Sequence, residues 1–110
     1  MSEARIAQLK SFLEADPTDT FTSFALALEY IKHERENEAL EIFANILRNN
    51  PDYSGVYYHL GKLYEKQGKQ GDAVRIYSEG IVICRQKNEL HALQELQQAL
   101  DDAPDSESDD

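Results

Sequence analysis

Tryptophan is absent from this 110-residue chain, and cysteine and methionine occur once each. A lone cysteine, Cys84, closes no intrachain disulfide, which excludes the paired framework of a small secreted domain. Only three prolines and five glycines interrupt the sequence, and such sparse punctuation favours helices throughout. No apolar run approaches the roughly 20 residues that a membrane helix needs. The N-terminus, MSEARIAQLK, has no charged-then-apolar signal layout. Bases are outnumbered 11 to 21 by acids. No basic stripe is present to meet nucleic acid, and an acidic surface is repelled by anionic membranes. These absences lead us to expect a cytoplasmic protein that binds neither.

What is present is a globular core composition, with 41% apolar residues, long enough for one domain. The formal charge of −10 is unevenly placed. Asp101, Asp102, Asp105, Glu107, Asp109 and Asp110 supply six of the acids with no base among them. Residues 101–110 are therefore expected to form a disordered acidic tail, because like charges extend it and nothing apolar can be buried. The remaining 100 residues are only mildly acidic.

Periodicity places six helices. Residues 2–15 put Ile6, Leu9, Phe12 and Leu13 on one face, and Pro17 prevents continuation. Residues 20–33, capped by Asp19 or Thr20, are apolar on more than one stripe. Residues 38–48 present Ala39, Leu40, Ile42, Phe43, Ile46 and Leu47 inward, and Asn49-Asn50-Pro51 ends that helix with a left-handed asparagine as the expected stop. Helices over 54–67 and 70–85 follow, with Gly68 suited to the left-handed turn between them. The last helix, about 88–100, carries Leu90, Leu93, Leu96 and Leu100 on one side.

The pattern repeats. Pro17 and Pro51 are 34 residues apart, as are Leu26 and Leu60, Ala27 and Gly61, Tyr30 and Tyr64, Ala39 and Ala73, and Phe43 and Tyr77. The helices of 54–83 make the logic visible. Gly61 and Ala73 have almost no side chain, so two backbones can approach, and Leu60, Tyr64 and Tyr77 fill the space around them. A 34-residue period of aromatic-x-x-Leu-Gly-x-x-Tyr, Ala-x-x-x-aromatic and Pro resembles the tetratricopeptide repeat. The resemblance implies an all-α fold of antiparallel helix hairpins, stacked as a short right-handed superhelix (an α-solenoid) of about six helices. Its domain would span 1–100: an N-terminal half repeat at 2–17, full repeats at about 20–53 and 54–87, and a capping helix at 88–100. Three departures stand out. Ser23 replaces the first aromatic that Tyr57 keeps. Glu34 stands where the other repeat has Gly68, so that turn should be strained or differently built. Arg85 replaces the closing proline, so the last repeat should run on without a sharp break.

The resemblance also implies a job, holding another polypeptide in a concave groove lined by the first helix of each repeat. With helical geometry, it places Phe21, Phe24, Ala25, Leu28, Ile31 and Lys32 there from the first repeat. Tyr58, His59, Lys62, Glu65 and Lys66 would come from the second. A fitting ligand would carry a hydrophobic anchor and an acidic end. Phe24 and Leu28 occupy positions where some family members grip a terminal carboxylate, which these side chains cannot do. An alternative is a homodimeric structural or assembly protein that pairs through the same face or the C-terminal leucine stripe. Catalytic, cofactor and metal sites are not expected. His33-Glu34 lacks the second histidine of a zinc helix, since position 37 is Asn37. Gly55–Lys62 has the wrong spacing for a phosphate loop, and Leu63 stands where Ser or Thr must bind magnesium. Cys84, beside Ile81 and Ile83, reads as a small buried filler.

Overall fold

The computed structural model describes residues 2–103. They form six helices: α1 (Ser2–Ala15), α2 (Thr20–Lys32), α3 (Glu36–Asn49), α4 (Gly55–Lys66), α5 (Gln70–Lys87) and α6 (Leu90–Asp102). Among the described residues there is no strand, so the fold is all-α. The chain divides into two compact units, Met1–Pro51 and Asp52–Asp110. Helix α6 continues through Asp101 and Asp102, with Ala103 as its extended C-cap, three residues into the segment expected as tail; residues 104–110 lie outside the described residues.

In the first unit α2 packs against both α1 and α3. Ile6 and Leu9 of α1 are buried, but Phe12 is 52% exposed, contrary to expectation. At about 100° per residue, Phe12 falls roughly 90° from the centre of the Ile6–Leu9–Leu13 stripe, on the rim of the buried face. Asp19 caps α2, accepting from the backbone N–H of Thr22 at 3.3 Å and from its hydroxyl at 2.7 Å. The Thr22 hydroxyl, then its N–H, hold the Asp19 carboxyl below the usual aspartate range. Thr22, Leu26, Ala27 and Tyr30 of α2 are buried, with Ala39, Phe43 and Ile46 of α3. Arg35 starts α3 and grips Glu38 with two bonds of 2.7 and 2.8 Å. Its guanidinium also lies 4.7 Å from the centroid of the Tyr30 ring. The expected left-handed asparagine at the end of α3 is not there. Asn50 sits at φ −150°, because a residue before proline is pushed towards extended backbone.

In the second unit α5 packs against both α4 and α6, and α6 also touches α4. The close approach of α4 and α5 is real: a Cβ on Gly61 would lie 2.2 Å from Cε1 of Tyr77. The Tyr77 side chain is fully buried, and its hydroxyl donates to Glu65 at 2.7 Å. A second close approach was not read from the sequence. A Cβ on Gly80 would lie 2.6 Å from Cβ of Tyr57 and 2.9 Å from Leu96 Cδ1. Small residues on α5 thus admit α4 on one side and α6 on the other, with Cys84 buried on the same helix. Burial pushes the Cys84 thiol up, as expected of a filler. At the far end, Ser54 donates its hydroxyl to Glu89, and Lys87 donates to the Asp52 carbonyl at 2.7 Å.

Three helices end in the same way. Arg35 N–H reaches the Tyr30 carbonyl while Glu34 N–H reaches that of Ile31; Lys69 and Gly68 do the same to Tyr64 and Glu65, and Glu89 and Asn88 to Cys84 and Arg85. This paired 6→1 and 5→2 closure requires a left-handed residue. Gly68 takes φ 79°, Glu34 59° and Asn88 57°. The Glu34 turn is therefore strained but not differently built. The run-on expected from Arg85 is also corrected, since Asn88 breaks the chain sharply before α6.

Candidate functional site

The side chains expected to line a groove fall into two sets with different fates. In the first unit Phe21 is 71% exposed in the first turn of α2. Phe24 is half-buried and turns towards the core, its ring centroid 6.1 Å from that of Phe43 at a 48° tilt. Leu28 and Ile31 are half-buried as well. A recess with definite walls lies elsewhere in this unit. It measures about 190 Å³ between Pro17, Thr18, Thr20 and Ser23 on one side and Asn45, Ile46 and Asn49 on the other. It contains none of the expected residues.

In the second unit α4 brings Tyr58, His59 and Lys62 together. The Tyr58 and His59 rings meet edge-on at 5.5 Å, and Lys62 Nζ stands 5.6 Å from the Tyr58 ring centroid. Burial holds the His59 imidazole below its ordinary pKa, partly opposed by the Glu95 carboxylate. Tyr58 and Lys62 form one wall of an open cleft of about 310 Å³. The other wall is α6, through His91, Gln94, Glu95, Gln98, Ala99 and Asp102. Glu65, expected in the groove, is drawn instead to the Tyr77 hydroxyl.

The α6 wall has its own order. His91 Nε2 lies 3.3 Å from Glu95. Gln98 donates to both oxygens of Asp102 at 3.1 and 3.0 Å. Apart from His91, α6 carries no basic residue. The leucine stripe considered for self-association is largely spent within this unit: Leu96 is buried, Leu93 and Leu100 are half-buried, and only Leu90 is exposed, at 62%.

The sequence did contain a signal for this second wall. Tyr57, Leu60, Leu63 and Tyr64 recur as Leu93, Leu96, Ala99 and Leu100 at an offset of 36. At that offset Tyr58 and Lys62 match Gln94 and Gln98. A search at 34 misses it, because α5 has 18 residues where α3 has 14.

Among the described residues, no three of His, Cys, Asp and Glu come together as a metal-binding group. No described helix is long and apolar enough to cross a membrane.

A family profile described as tetratricopeptide repeat matches residues 1–77. The search of curated proteins returned no match. Among solved structures, the solution structure of a tetratricopeptide repeat domain protein from Salinibacter ruber is 45% identical. It covers 77% of this chain and 86% of its own, with a TM-score of 0.74. A crystal structure of a tetratricopeptide repeat domain protein from the same organism gives 44% identity over 74% of this chain and 92% of that one, with a TM-score of 0.72. A solution structure of a Bordetella parapertussis protein, 25% identical, covers 86% of this chain and 83% of its own with a TM-score of 0.76. Helix hairpins with small residues at their crossings, a 34-residue period and these matches agree, and the chain belongs to the tetratricopeptide repeat family.

Proposed function

We propose that this protein is a non-catalytic adaptor that holds a segment of another polypeptide, and that the cleft between α4 and α6 is a contact surface for it. The observation that carries this reading is the half-buried Tyr58 ring. It lines an open cleft while His59 meets it edge-on, and an amphipathic ring at a cleft wall is a common anchor for a partner side chain. The polar side chains of α6 supply donors and acceptors along the opposite wall, as a peptide backbone or polar side chain requires. Membership of a family of protein-interaction modules supports the same reading.

The test is a photoreactive amino acid placed at Tyr58 of the full chain in source cells, with Arg75 on the outer face of α5 as the control position. A partner polypeptide crosslinked from position 58 and not from 75 is the expected result. Equal capture from both positions, or none from 58, would remove the cleft as the contact surface.

A further inference from the structure

The cleft has a charge character opposite to that expected from α4 alone. Viewed along α4, Tyr58 and Lys62 suggest a seat for an acidic ligand. The α6 wall reverses this. Glu95 and Asp102 both line the cleft, against Lys62 as its one lysine or arginine. Each carboxylate is already oriented by an i,i+4 neighbour, His91 for Glu95 and Gln98 for Asp102. Asp102 is also the last residue of α6, where the helix leaves unpaired carbonyls and the negative end of its dipole. That end lacks the basic residue that usually accompanies it.

Lys62 fits this picture as an occupant of the cleft. Among the described residues no carboxylate lies within ion-pair distance of it. Its ammonium instead stands over the Tyr58 ring, whose negative face attracts cations. The chain's own lysine thus marks the ring as a cation seat and fills it weakly, from an exposed position.

We propose that the α4–α6 cleft selects a basic side chain, arginine above lysine, on the bound polypeptide. The guanidinium plane would stack on Tyr58, where Lys62 now stands, and take Glu95 and Asp102 as counter-charges. Arginine is favoured because its planar, weakly hydrated group stacks on an aromatic face and bonds carboxylates in pairs. The proposal rests on the reading of the cleft as a peptide-contact surface and adds the chemistry of what enters it.

The test selects a displayed library of random peptides on the full chain and discards those that still bind Tyr58→Leu. The leucine variant keeps apolar bulk without the ring face, and circular dichroism checks its fold. Peptides that depend on Tyr58 are expected to share an arginine or lysine whose replacement by alanine abolishes enrichment. Glu95→Gln and Asp102→Asn should each weaken them about two- to five-fold, the range of an exposed ion pair. Lys62→Ala should tighten them by a similar factor, about two- to five-fold, by removing the tethered competitor. Tyr58-dependent peptides that are acidic and weaken with Lys62→Ala would overturn the proposal and leave the contact surface standing. So would neutral peptides indifferent to Glu95→Gln. A library with no Tyr58-dependent binder would overturn both.

Discussion

Gly61→Ala adds a single methyl group, and its expected effect can be worked from the surrounding atoms. On this backbone the new carbon lies 2.2 Å from Tyr77 Cε1, 2.6 Å from Cδ1 and 2.7 Å from Cζ. Relaxed carbon–carbon contact needs about 3.5–4.0 Å, so the ring or the helix must retreat by roughly 1 Å or more. The ring has little room, being fully buried with its hydroxyl held by Glu65. Overpacking of this kind costs about 1–3 kcal/mol. Alanine's better helix propensity returns about 0.8–1 kcal/mol. A 2.2 Å approach puts the cost at the upper end of that range, so the net loss is about 2 kcal/mol, or a fall in Tm of about 8–16 °C for a chain near 100 residues. Gly71→Ala is the internal control. It is also helical, but no atom lies within 4 Å of its added carbon, so it should gain up to about 1 kcal/mol. Thermal melts followed by circular dichroism compare the two. The first unit suggests a rescue, since its equivalent positions hold Ala27 and Phe43. Gly61→Ala with Tyr77→Phe should recover part of the loss, because the freed ring can slide. If Gly61→Ala melts at or above the parent temperature, α4 and α5 do not approach at Gly61 and the packing argument fails.

Other substitutions test separate features. Glu34→Gly relieves a left-handed non-glycine residue and should raise stability by about 1 kcal/mol after glycine's extra freedom in the unfolded chain is counted; an unchanged melt would mean that the turn carries no strain. Burial, followed by the Glu65 bond, raises the Tyr77 phenol above its ordinary pKa. Its contribution to stability is therefore full below about pH 10 and lost as pH rises beyond that. Tyr77→Phe should flatten this alkaline slope in denaturant titrations while costing about 1 kcal/mol at neutral pH. His59 has the opposite sense, because burial lowers its pKa. Folding favours the neutral imidazole, so stability should fall as pH drops below about 6.5, and His59→Gln should reduce that fall.

The fold was legible because its closest crossings demand particular residues. Only a glycine or alanine lets α4 meet α5, and that requirement recurs at 27/61 and 39/73 in a form a reader can find. Other features depended on information that repeat positions do not carry. Phe12 belongs to the same apolar set as Leu9, yet its exposure depends on how wide a stripe α2 covers. Glu34 violates the usual preference for glycine, and the hairpin imposes the left-handed conformation anyway. Arg85 replaces the closing proline, but the sharp stop is written three residues on, in Asn88. The cleft was half legible. Tyr58 and Lys62 follow from the helical face of α4, whereas Glu95 and Asp102 required the two-residue lengthening that puts α6 in register at 36. Read alone, the α4 wall suggests an acidic ligand, whereas the proposed basic one rests on both walls.

The bond from Tyr77 to Glu65 has a spectroscopic consequence. With no tryptophan, the intrinsic ultraviolet emission of this protein comes from its six tyrosines. A phenol that donates to a carboxylate in a packed interior emits weakly, because the excited state sheds its proton to that acceptor. Unfolding should therefore brighten the protein near the tyrosine maximum, and much of the increment should vanish in Tyr77→Phe. The same dark background makes a single tryptophan at position 58 the sole red-shifted emitter, an optical probe for whatever enters the cleft.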